Sequence, residues 1–222
     1  MRRQVIAIVR KDLLLERRGK ANLNALIFLG GLILLIVSFA LGPDRSRLHT
    51  VAGGVLWIAF AFAGILAFSR AYQSEETNKC FEGMLLAGTD PKAIYLGKLL
   101  GTIIVMLVVE VVVTTAMTVL YALSFGGSIL FLALAGVLGT VGIAAVGVLY
   151  GRLTMSLRAR EIMLPLLVLP VVVPVLLAAV QATSLTLNGS TSGISIWIEL
   201  LAVFDVVFVT AGVLTYETLC EL

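Results

Sequence analysis

The chain has 222 residues, 60% of them hydrophobic and 13% charged, with a net charge of +3 and a mean hydropathy of +1.09. That balance excludes an ordinary soluble domain and marks an integral membrane protein. The apolar runs are continuous and long enough to cross a hydrocarbon core about 30 Å thick, which takes roughly 20 helical residues, and they lack the alternation of barrel strands.

Residues 1–20 come first and are strongly basic. Val5, Ile6, Val9 and Leu13 fall on one helical face while Arg10, Lys11, Arg17 and Arg18 lie elsewhere, which suits an amphipathic helix in the inner headgroup layer. A plain basic anchor is the alternative. The segment is expected to be retained rather than cleaved as a signal peptide, because the apolar stretch after it is too long and carries no small-residue cleavage site.

Six spanning helices are expected, at Ala21–Leu41, Val51–Phe68, Leu99–Leu123, Ser128–Tyr150, Ile162–Ala182 and Ser195–Thr215. Between the first two lies the short loop GPDRSRLHT with the only histidine, His49, which has no second ligand beside it. After the second span about thirty residues, 69–98, remain outside the membrane. In this segment Ala71 to Leu86 forms a plausible amphipathic helix, with Tyr72, Phe81, Met84 and Leu85 apolar and Glu75, Glu76, Lys79 and Glu82 charged. Asp90 then suits an N-cap and Pro91 the first position of a new helix, where its missing N–H would be unpaired anyway. The form is that of a surface transmitting motion from a soluble subunit; an interfacial helix without a partner is the alternative.

The third span carries Glu110 near its middle, where an ionised group costs about 3 kcal/mol on insertion scales. It should face protein or water, either as a proton-relay or substrate contact or as a hydrogen-bonded packing group. The fifth span contains Pro165, Pro170 and Pro174, each removing a backbone hydrogen bond, so this helix should be kinked or broken. It could form a gate, line a cavity or hold a static bend. Asp205 in the sixth span invites the same two readings as Glu110, with more weight on packing. Glycines at close-packing spacing, Gly97 and Gly101, Gly147 and Gly151, and Gly136, Gly139 and Gly142, read as helix contacts within the subunit or to a second copy.

Basic residues set the orientation. Seven lie in residues 1–20, four in 69–98 and three in 151–161, fourteen in all, against Arg45 and Arg47 on the other side. Both termini are therefore expected in the cytoplasm, and the net charge reports topology rather than nucleic-acid binding. Cys80 and Cys220 fall on the same side, where thiols stay reduced, without a second Cys or His at metal-ligand spacing. The sequence contains no P-loop, GxSxG, HExxH or catalytic carboxylate pair, so it is expected to be non-catalytic, leaving a channel, a transporter subunit or an assembly factor.

Three runs then carry a resemblance: EGMLLAGTDPKAIYLGK at 82–98, REIMLPLLVLPVVVPVLLAAV at 160–180, and GVLWIAFAFAGILAFSRAYQSE in the second span and its exit. Together they resemble the haem exporter protein B (CcmB) family of cytochrome c maturation over nearly the whole chain. One departure is Gly88, where proline is expected in the family's Leu-Leu-Ala-Pro pattern.

The resemblance implies an all-α membrane protein of the ABC-2-like permease kind, a single transmembrane domain over 1–222. Residues 1–20 would be its amphipathic elbow helix and 69–98 its cytoplasmic coupling segment. It implies a separate ABC ATPase subunit, a haem-handling membrane subunit, a homodimer as an expectation, and a multi-pass place in the cytoplasmic (inner) membrane. Haem is the candidate substrate; no cofactor is assigned to the chain itself, and no intramembrane histidine is available to ligate iron. ATPase coupling would fall to Glu75, Glu76, Glu82, Gly83, Asp90 and Pro91, with Glu110, Pro165, Pro170 and Pro174 as substrate-path or packing candidates. A permease for another hydrophobic substrate and a non-transporting scaffold are the other readings.

Overall fold

A computed structural model describes the chain except residues 20, 78–79, 124–128, 156–159, 191 and 222. Eight helices are described: α1 (Arg2–Arg18), α2 (Ala21–Leu41), α3 (Arg45–Thr77), α4 (Cys80–Leu86), α5 (Pro91–Leu120), α6 (Ile129–Thr154), α7 (Arg160–Leu187) and α8 (Ile194–Glu221). Six of them, α2, α3 and α5–α8, are long and apolar enough to cross a membrane. Spans joined by short connections alternate in direction. One side of the membrane therefore collects α1, α4, the α6–α7 connection and the C-terminus, and the other collects the α2–α3, α5–α6 and α7–α8 connections.

The first span has the bounds expected; the others run longer at one or both ends, while the third stops at Leu120 rather than Leu123 and the expected start of the fourth, Ser128, lies outside the described residues. α3 starts at Arg45 instead of Val51, since the Asp44 carboxylate accepts from the Ser46 and Arg47 amides (3.0 and 3.3 Å) and caps the helix. His49 is therefore helical, not in a loop. At its other end α3 carries on to Thr77, as no glycine or proline stands between Gly64 and Gly83 to stop it. The amphipathic helix expected over Ala71–Leu86 is described as the last turns of α3, to Thr77, and as α4, from Cys80, with 78–79 outside the described residues. α5 likewise begins at Pro91, so the end of the 69–98 segment is already the foot of the third spanning helix.

α6 is the central post, packing against α3, α5, α7 and α8. Its glycines make this possible by leaving room for large side chains from its neighbours. The Trp57 ring lies against Gly139, the Phe68 ring against Gly147 and the Glu110 carboxyl against Gly136. A Cβ at Gly142 would stand 2.8 Å from Asp205 Oδ1. In lipid no hydrophobic effect drives helices together, so this close interlocking supplies much of the attraction between them. Gly136, Gly139, Gly142 and Gly147 are thus occupied by contacts inside the subunit. α1 docks by the same device: a Cβ at Gly97 of α5 would meet Ile8 at 2.8 Å, and Gly101 lies against Asp12.

The side by which α1 meets the bundle lies next to the apolar face read from the sequence. Ile8 is its buried residue, with Asp12 one turn on, whereas Ile6 is 67% exposed and Val5, Val9 and Leu13 are half-buried. The glycines of α5 receive Ile8, and Ile6 stays on the outer side of the helix.

α7 remains a single described helix through Pro165, Pro170 and Pro174. Of the two outcomes expected, kinked or broken, the helix is not broken. Each proline removes one N–H donor, a loss that long membrane helices tolerate.

Candidate functional site

At the membrane face that holds both termini, α4 and the foot of α5 form a compact turn. α4 ends in a paired set of backbone hydrogen bonds, Gly88 N–H to Leu85 O (2.9 Å) and Thr89 N–H to Met84 O (3.1 Å). Gly88 has φ +70°, the left-handed position this cap requires. Proline, whose ring fixes φ near −65°, could not close the helix in this way. The departure at Gly88 is thus the residue that shapes the turn. Two residues later Asp90 caps α5 as expected, its Oδ1 accepting from the Lys92 amide at 2.9 Å with Pro91 at the first helical position.

Three contacts tie this turn to the bundle. Phe81 is buried beneath the Arg152 guanidinium, 4.1 Å from the ring centroid, fixing α4 to the last turn of the central helix α6. Lys92 Nζ lies 3.5 Å from Glu217 Oε2, joining the foot of α5 to the end of α8. Tyr95, fully buried, packs against Tyr216 with ring centroids 5.3 Å apart and sits over Gly212. Outward, Gly83 is exposed and Leu86 is 89% exposed, an apolar side chain at the tip of the turn. The backbones of Glu75 and Glu76 lie in α3 and that of Glu82 in α4; their side chains lie outside the described residues.

Sequence reasoning singled out Asp90 and Pro91 but missed the Phe81–Arg152 contact and the projection of Leu86. The first joins residues 71 positions apart and no periodicity predicts it. The second follows from where α4 stops, which the Gly88 departure signals in retrospect.

Within the membrane Glu110 and Pro165, Pro170 and Pro174 do not converge. Glu110 Oε2 accepts from the Thr140 hydroxyl at 2.6 Å, and the carboxyl borders a cleft of about 250 Å³ that reaches Trp57 and Thr183. Trp57 Nε1 donates to Thr183 Oγ1 at 2.9 Å. Two buried polar pairs thus cross α5 to α6 and α3 to α7. Pro170 and Pro174 lie on the exposed side of α7 and Pro165 is half-buried. Asp205 is buried between Gly142 of α6 and Val175 of α7, and neither carboxyl oxygen has a hydrogen-bond partner.

A third polar group stands where α1, α2, α3 and α5 meet. Glu16 Oε2 accepts from Asn22 Nδ2 at 3.1 Å, and Asn22 Oδ1 accepts from Arg70 Nη1 at 3.0 Å. With Asp12 and Lys98 they border a cavity of about 340 Å³.

Known proteins agree on one assignment. The family model described as "CcmB protein" matches residues 3–218. Among curated relatives, "Heme exporter protein B" of Pseudomonas aeruginosa is 28% identical over 200 residues, covering 88% of this chain and 87% of the relative. The protein of the same name from Rhodobacter capsulatus is 28% identical over 173 residues, 77% of this chain and 78% of the relative. That of Haemophilus influenzae is 24% identical over 182 residues, 78% of each.

Proposed function

Because the chain belongs to the CcmB protein family, we propose that it is the membrane-spanning permease subunit of an ABC transporter complex that provides haem across the cytoplasmic membrane for cytochrome c maturation. The observation that carries this is the family match over residues 3–218, on a chain with six helices able to span a membrane. The relatives' name, heme exporter, supplies the cargo.

In this reading ATP is bound by a separate ATPase subunit, which docks on α4 and the turn to α5. Leu86 offers an apolar anchor there, with Gly83, Asp90 and Pro91 shaping the surface and Glu75, Glu76 and Glu82 supplying charge. Buried apolar anchors ringed by polar residues are the usual core of such interfaces. Motion of α4 passes through Phe81 to Arg152 and so to α6, which touches four other helices. A haem-handling membrane subunit and a second copy of the chain complete the complex, with both termini in the cytoplasm. The whole chain, 1–222, acts as one transmembrane domain with residues 1–20 as its elbow helix and 69–98 as the coupling segment.

Deletion of the gene is the direct test, read by haem staining of c-type cytochromes beside spectra of b-type ones. Loss of the c-type alone is expected; normal c-type levels would overturn the assignment. Reversing charge at Glu75, Glu76 and Glu82 should abolish ATPase-dependent maturation while the protein stays inserted. Unchanged maturation and complex assembly in that variant would remove the coupling role.

A further inference from the structure

The cavity between α1, α2, α3 and α5 lies at the membrane face that holds the termini, and its wall is graded. Charged and polar groups occupy the helix ends: Asp12 and Glu16 on α1, Asn22 on α2, Arg70 on α3 and Lys98 on α5. One or two turns further along α2 and α5 the wall becomes apolar, with Leu26 and Val105, and Phe68 closes it from α3. A space of about 340 Å³ with a charged mouth and an apolar floor is shaped for the head and upper chain of an amphiphile.

The charges narrow the class. Two acids and two bases face one cavity, so a ligand with a single sign of charge meets repulsion from half of them. Glu16 is the informative group. Its Oε2 is held by Asn22, but its Oε1 is buried without a hydrogen-bond partner. A buried carboxylate oxygen left unpaired is costly, and what it lacks is an N–H or O–H donor. Arg70 is oriented beside the same space by its bond to Asn22, and a guanidinium is suited to phosphate oxygens. Lys98, only 4% exposed, adds a second cation to the wall.

We propose that this cavity binds phosphatidylethanolamine, with the ammonium at Glu16 and the phosphate at Arg70. Phosphatidylcholine carries the same charges but no N–H to satisfy Glu16, and phosphatidylglycerol has no cation for the acids. The lipid would fill the seam where the amphipathic α1 meets the bundle, independent of which cargo the complex moves.

The test uses the purified full chain in detergent, titrated with phosphatidylethanolamine, phosphatidylcholine and phosphatidylglycerol of identical acyl chains. Native mass spectrometry counts the retained lipid. Retention of phosphatidylethanolamine should exceed that of either other lipid about tenfold, the scale of one charge-assisted hydrogen bond. Glu16→Ala should erase the margin over phosphatidylcholine, and Glu16→Gln, which keeps the shape and an Asn22 contact, should shrink it. Equal retention of the three lipids, a preference for phosphatidylglycerol, or an unchanged margin in Glu16→Gln would each overturn the site.

Discussion

Thr140 and Gly139 show how little room separates a polar contact from a steric one on the central helix. The Thr140 hydroxyl holds Glu110 Oε2, and hydrogen bonds between membrane helices average about 0.6 kcal/mol because the unfolded helices also find partners. Thr140→Val should therefore lower resistance to denaturant by about that amount and leave insertion intact. Gly139 is a harsher site, as its missing side chain is where the Trp57 ring lies. Gly139→Val should cost about 1–3 kcal/mol by overpacking and also break the Trp57–Thr183 bond. Denaturant unfolding followed by tryptophan fluorescence checks both. Asp205 should behave oppositely. A buried carboxyl whose two oxygens have no partner lowers stability, so Asp205→Ala should raise it by about 1 kcal/mol in the same measurement. If haem provision falls in a more stable Asp205→Ala protein, the residue was kept for transport rather than packing.

Among the elements, α4, described over Cys80–Leu86, is held by its C-terminal cap and its buried Phe81 ring. Gly88→Pro cannot adopt φ +70° and should undo the paired hydrogen bonds that end α4, at about 1–3 kcal/mol of local strain. The expected readout is loss of ATPase coupling with normal membrane insertion. Phe81→Ala should uncouple in the same way by freeing α4 from Arg152, and wild-type maturation in that variant would show that α4 does not work through α6. α1 has one tight apolar contact of this kind, Ile8 on Gly97. Gly97→Leu would evict Ile8, so α1 should detach and trypsin should cut at Arg17 or Arg18 faster than in the wild type.

On the scale of the whole molecule, six alternating spans place Cys80 on the side of the termini and Asn188 on the opposite side. With the basic residues held in the cytoplasm, a membrane-impermeant thiol reagent applied to intact cells stripped of their outer layers should miss Cys80. It should label Asn188→Cys, whose side chain is exposed, in a Cys80→Ala background. The reverse pattern would invert the topology and remove the ATPase-facing role of α4. In the proposed reading the docking face reaches the bundle through α3, α5 and the Phe81–Arg152 contact with α6, so damage to the glycine contacts of α6 should weaken both coupling and transport.

Continuous apolar runs determined that the chain is a membrane protein of six helices, because lipid leaves a helical span no other way to satisfy its backbone. The Asp90–Pro91 start of α5 was equally legible, since an N-cap is a local event settled by adjacent residues. Helix ends at Arg45 and Thr77 were missed because hydropathy registers the hydrocarbon core while a helix continues until something stops it. Tertiary structure alone decided the partners: Ile8 on Gly97, Phe81 under Arg152, Glu16 linked through Asn22 to Arg70. In lipid, apolar side chains gain little from one apolar neighbour over another, so fit against glycines and pairing of polar groups choose among faces that look alike in the sequence.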